Sequence, residues 1–205
     1  MRLYTLREAY GLGRTCVRHS SRSLAGPAAI HRLQPTIGDD APSVYIDQMA
    51  SSVYVETSVI SYLTSRPSRD VVTAAHQQLT LDCWSNARPG FRVFVSEIVV
   101  QEASLGDPGS AKLRLAAIDG LPLLQLSDNA RSLAKALVAD LAVPANAAVD
   151  ALHVALAADN GIEYLLTWNC KHIANAKTRT LIERCLRSRG YDPPVLCTPE
   201  ELMEP

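Results

Sequence analysis

Glu56, Glu102 and Asp150 are carboxylates set far apart in the chain, and Asn169 is an amide that follows them. Each stands where an element starts or stops. Glu56 ends the β-branched and aromatic run 52–55, and Glu102 lies six residues beyond Ser96. Asp150 opens an alanine-rich stretch, and Asn169 follows the apolar run 164–167. Oxygen ligands drawn together from such distant positions have one common use, holding a divalent cation over a phosphate ester. An all-oxygen set suits Mg²⁺ or Mn²⁺ rather than zinc. Glu56 carries the most weight, because the strand it ends is apolar enough to be buried on both sides. An unpaired buried carboxylate costs several kcal/mol, so a cation or a hydrogen-bond shell must compensate. Taken singly, Asp150 also suits a dipole partner in a first helical turn, and Glu102 a solvated helix residue.

The elements that must position these groups alternate. Residues 52–55, 91–95, 121–126, 164–167 and 194–197 read as strands. Residues 70–84, 98–105, 111–118, 128–141, 147–159 and 176–189 carry helical periodicity. Asp70 and Asp128 suit the caps of their helices, and Thr198 with Glu201 forms a capping box around Pro199. Strands alternating with helices imply an α/β fold with a mainly parallel sheet of about five strands, covered on both faces. In such sheets ligands bind outside the carboxyl ends of the strands, where Glu56 and Asn169 stand.

Composition narrows the class. The 47% apolar fraction supports a sizeable core, and no apolar run approaches the roughly 20 residues of a membrane span. Five scattered cysteines without a C-x-x-C pair argue against a disulfide framework or structural zinc, and for a reducing compartment such as the cytoplasm. Residues 1–48 hold six arginines and four acids but no sustained periodicity, so they read as a disordered extension or a start codon set too early. An Arg- and Ser-rich leader also fits a transit peptide. The domain itself is expected at 49–205, where 14 basic against 17 acidic residues leave a net charge of −3.

On these motifs the chain resembles the PIN-domain ribonucleases, and among them the VapC-like toxins of toxin–antitoxin pairs, over roughly residues 53–203. The matching positions are Glu56-Thr57-Ser58, Ser96 with Glu102, Asp150 at the head of its alanine-rich helix, and Thr167-Trp168-Asn169. The resemblance implies a three-layer α/β/α fold and Mg²⁺- or Mn²⁺-dependent hydrolysis of RNA. Glu56, Glu102 and Asp150 would hold the metal, and Asn169 would complete the catalytic set with a neutral oxygen. Ser58 and Thr167 would fix carboxylates and waters from behind. It further implies a cognate antitoxin, and a homodimer for which 71–84 offers an apolar surface. Two departures stand out. The first acid is Glu where the family usually has Asp, and Asn169 with Cys170 and Lys171 stands where another acid often occurs.

Lys171, Lys177 and Arg179 begin a basic stretch directly after Asn169, a candidate RNA-binding surface or simply a solvated helix face. Trp168 suits core packing better than base stacking, and His153 suits a packed helix residue better than a ligand. Competing chemistries lack their motifs. A haloacid-dehalogenase-like phosphatase needs Asp at both 56 and 58, and no G-x-x-x-x-G-K-[ST] or G-x-S-x-G sequence occurs. The remaining alternative is a PIN-like module that has lost catalysis and serves as a binding partner.

Overall fold

In the computed structural model, residues 50–203 are described; the expected extension at 1–48 and the start at Met49 lie outside them. Five short strands form one all-parallel sheet: β1 (Ser52–Val55), β2 (Arg92–Ser96), β3 (Leu123–Leu124), β4 (Tyr164–Leu166) and β5 (Val195–Cys197). The spatial order is β3-β2-β1-β4-β5. The chain therefore builds outward from β1 through β2 to β3, then returns to lay β4 on the other side of β1. That reversal leaves a crevice above the carboxyl ends of β1 and β4, the place where open parallel sheets take ligands.

Among the described residues eight α-helices cover the sheet: α1 (Thr57–Thr64), α2 (Val71–Asp82), α3 (Glu97–Ala103), α4 (Pro108–Ile118), α5 (Asp128–Ala139), α6 (Ala148–Asp159), α7 (Ala176–Arg187) and α8 (Pro199–Met203). Packing divides them into two layers. Helices α1 to α4 and α8 pack with one another on one face, while α5 packs against α6 and α7 on the other. This is a three-layer α/β/α sandwich, and it is what right-handed crossovers in both directions from a central strand produce. All four residues of β1 are buried, as are Leu165 and Leu166 of β4. Helix α6 is buried over nearly its whole length, from Ala151 to Ala158, because its small side chains allow close approach to the sheet. No helix among the described residues is long and apolar enough to cross a membrane.

Several local signals act as their chemistry requires. Asp70 accepts from Thr73 N at 2.8 Å and caps α2. Thr198 N donates to Glu201 at 2.9 Å and Glu201 N donates back to Thr198 Oγ1 at 3.3 Å, a closed capping box on α8. Other boundaries differ from the sequence expectation. The cap of α5 is Ser127, which accepts from Ala130 N at 2.9 Å, and Asp128 occupies the first turn instead. Strand β3 is only two residues long, since it pairs on one side alone and Leu123 is half exposed at the sheet edge. Helix α1 is not apparent in the sequence at all. It follows β1 without a loop, and its cap is Glu56, whose carboxylate accepts from Ser58 N at 3.1 Å.

Candidate metal centre

The β1–β4 register brings the first site residues level. Tyr54 lies beside Leu165 and Val55 beside Leu166, and Glu56 N continues the ladder by donating to Leu166 O at 3.0 Å. Glu56 and Thr167 thus leave the sheet side by side. Glu56 is 7% exposed and Thr167 fully buried, and the shell that such a carboxylate needs is present. Its Oε2 accepts from Thr167 Oγ1 at 2.8 Å and from Ser58 Oγ, while Oε1 takes the Ser58 backbone N–H. Each hydroxyl is held from behind by the turn after β4. Trp168 N donates to Ser58 Oγ at 2.8 Å, and Asn169 N donates to Thr167 Oγ1 at 2.9 Å. Ser58 and Thr167 are therefore both directed at Glu56.

Glu102 arrives from α3, which starts at the end of β2 with Ser96 as its cap. Its position one turn into that helix is enough to bring Oε2 against Thr57 Oγ1 at 2.5 Å and His153 Nε2 at 3.1 Å. Burial pushes the Glu102 carboxyl up, but the hydrogen bond and charge of His153, with the Thr57 hydroxyl, outweigh it and hold the group below its ordinary value. His153 is 1% exposed. Burial favours the neutral ring, yet the hydrogen bond to Glu102 and the charges of Glu102, Glu56 and Asp150 win, so its proton affinity is raised. The other ring nitrogen, Nδ1, lies 2.6 Å from the buried Tyr54 hydroxyl, which in turn lies 2.7 Å from Ser96 Oγ.

One ligand atom each from Glu56, Glu102 and His153 falls within 4.8 Å of the other two, so these three residues can hold a metal ion. The close trio thus contains two of the three expected carboxylates, with His153 as its third member. Asp150 stands beside it, in the first turn of α6 and one turn before His153. Burial raises its pKa and Glu56 adds to that, while His153, the Asn169 amide and His172 pull the other way. His153 is packed in the helix as the sequence suggests, and it also faces the acids. The Asp150-x-x-His153 spacing carried that signal, since residues three apart share a helix face.

The remaining positions divide. Asn169 Oδ1 accepts from His172 N at 3.0 Å, so here it closes the turn that follows β4. Lys171 and Lys177 are exposed. Arg179, the third residue of the candidate RNA-binding surface, is paired within the chain. Both of its terminal nitrogens grip Glu201, at 2.9 and 2.6 Å, because the capping box has already fixed that carboxylate across from α7. Glu97 is exposed. Trp168 is buried, stacked on His76 at 4.1 Å between ring centroids, with Nε1–H donating to Thr80 Oγ1 at 2.7 Å. Its ring is occupied by these partners.

The donor set fits a divalent cation. Hard carboxylate oxygens come from two separate elements and converge on one point, with an imidazole completing the trio. The second ring nitrogen of that imidazole is held by the Tyr54 hydroxyl at 2.6 Å, and a hydrogen bond at that nitrogen is what orients a metal-bound histidine. No protein-family model matches the chain, and a search of curated proteins finds no match either.

Proposed function

We propose that this protein is a metal-dependent endoribonuclease of the PIN-domain kind, and that it acts as the toxin of a toxin–antitoxin pair. The observation that carries the reading is the meeting of Glu56, Glu102 and His153 within 4.8 Å, with Asp150 alongside. The meeting place, at the carboxyl ends of the central parallel strands, is where this class of fold binds substrate.

A bound divalent cation would lower the pKa of a water and neutralise charge on the scissile phosphate. Mg²⁺ or Mn²⁺ is the cation expected of a carboxylate-rich centre. Glu56 has both oxygens engaged by Ser58 and Thr167, so its orientation is fixed before substrate arrives. Asp150 has fewer partners and a raised proton affinity, which suits it to orient and deprotonate the attacking water. Lys171 and Lys177, exposed beyond the turn at Asn169, would meet the RNA backbone by charge and confer affinity without sequence choice. A cognate antitoxin would cover the acidic crevice with a basic side chain. Val71, Val72 and Leu81, all exposed on α2, suit a homodimer contact.

The test compares the whole chain with its Asp150→Asn variant on structured and single-stranded RNA, in Mg²⁺, Mn²⁺ or EDTA. Cleavage that needs metal and disappears in the variant supports the reading. Metal-bound protein that leaves every RNA intact, with and without the substitution, favours a binding module that has lost catalysis.

A further inference from the structure

We infer that His153 is itself a ligand of the cation, and that Tyr54 is the residue that positions it, giving the centre a nitrogen donor and a preference for Mn²⁺ and later transition cations over Mg²⁺. This rests on the reading that the cluster holds a cation, and goes beyond the all-oxygen set implied by the sequence.

The geometry is a closed loop of contacts. From Glu102 Oε2 it passes to His153 Nε2 at 3.1 Å, then from Nδ1 to Tyr54 Oη at 2.6 Å and on to Ser96 Oγ at 2.7 Å. Ser96 accepts from Val99 N at 3.3 Å as the cap of α3, the same helix that carries Glu102. The imidazole is therefore held at both nitrogens by groups tied to one rigid unit. Tyr54 and Ser96 are fully buried, so water does not compete for these bonds.

In the metal-free centre an Nε2–H donates to Glu102. A cation would replace that proton, while Tyr54 Oη accepts the Nδ1–H and points its own O–H at Ser96, leaving the Nε2 lone pair for the ion. One ring nitrogen of His153 lies within 4.8 Å of a carboxylate oxygen of both Glu56 and Glu102, and Nε2 is the one beside Glu102. A hydrogen bond from the far nitrogen fixes the tautomer and orientation of a metal-bound histidine, and losing such an outer partner typically weakens metal binding about 10- to 100-fold. Mg²⁺ demands near-ideal octahedral oxygen ligation, whereas imidazole suits the transition cations. A histidine serving only as a counter-ion to Glu102 predicts no ¹⁴N coupling to bound Mn²⁺, and predicts that loss of the Tyr54 hydroxyl weakens both ions alike.

The experiment uses the whole chain, freed of metal with a chelator, and its Tyr54→Phe, His153→Gln and His172→Ala variants. Mn²⁺ and Mg²⁺ binding are measured by calorimetry, and the Mn²⁺ complexes are examined by pulsed electron paramagnetic resonance for coupling to ¹⁴N. The inference predicts ¹⁴N coupling in the wild type and in His172→Ala, and its loss in His153→Gln. Mn²⁺ should bind the wild type at least tenfold more tightly than Mg²⁺, and Tyr54→Phe should narrow that ratio by weakening Mn²⁺ about tenfold or more. Mn²⁺ bound without ¹⁴N coupling, or a Tyr54→Phe variant that weakens both ions equally, overturns the inference and leaves a carboxylate-only centre standing. A wild type that binds neither ion removes the centre itself. Should Tyr54→Phe fail to fold by circular dichroism, the wild-type and His153→Gln spectra still decide.

Discussion

Replacing Thr167 by valine removes one hydroxyl from a site where nothing else changes shape. Thr167 is fully buried, and its Oγ1 does two things: it donates to Glu56 Oε2 at 2.8 Å and accepts from Asn169 N at 2.9 Å. A hydrogen bond to a carboxylate contributes about 1.5–3 kcal/mol, and a neutral one about 1 kcal/mol. The extra methyl of valine returns at most about 0.8 kcal/mol of apolar burial. The net loss is therefore about 2–3 kcal/mol. In urea, with a slope of about 1–3 kcal/mol/M for small proteins, the midpoint should fall by about 0.7–3 M without a change in slope. The assay is equilibrium urea unfolding in EDTA, so that metal binding does not contribute. Thr167→Ser keeps the hydroxyl and should lose much less than valine. A midpoint shift for Thr167→Val below about 0.3 M would refute the claim that this hydroxyl holds Glu56 in place.

Other consequences can be measured as directly. Leu141 has φ of 59° just past the end of α5 and is 79% exposed, a position that favours glycine. Relief of left-handed strain of about 1–2 kcal/mol, less the flexibility glycine adds, should make Leu141→Gly more stable by about 0.5–1 kcal/mol, read as a calorimetric Tm rise of about 1–4 °C. If RNA is the substrate, Lys177→Ala should lower the slope of log affinity against log salt by about one, while Arg179→Ala, whose guanidinium is already on Glu201, should barely change it. At pH 8 iodoacetamide should label exposed Cys170 well before Cys83 or Cys197, since burial pushes those thiols to about 11 and about 12. Raising the pH should speed labelling of the buried pair as their thiolate fraction grows, a trend that peptide mass spectrometry can follow.

Much of the fold was legible because its signals are local. The capping box at Thr198 and Glu201 and the Asp70 cap depend on residues three apart, and the strand around Tyr54 is β-branched, aromatic and short. The position of Glu56 at the end of that strand followed from the same run. Helix α1 was hidden because its cap is a glutamate, a rare choice for that role, and its sequence is rich in β-branched residues. It forms because Val59 and Ile60 are buried against the core, which tertiary packing supplies and propensity does not. The contact of Tyr54 with His153 spans 99 positions and that of Arg179 with Glu201 spans 22. No sequence spacing reports such pairs. They arise from the register of β1 with β4 and of β4 with β5.

The account stands on Glu56, just past β1, and Glu102 of α3 forming a divalent-cation site. Calorimetric titration of Mn²⁺ into the metal-free protein and into Glu102→Gln tests it most directly, because glutamine keeps the size of the side chain and removes its charge. The predicted result is saturable binding to the wild type, weakened at least tenfold in the variant. Equal binding to the two proteins, or none to the wild type, would contradict it.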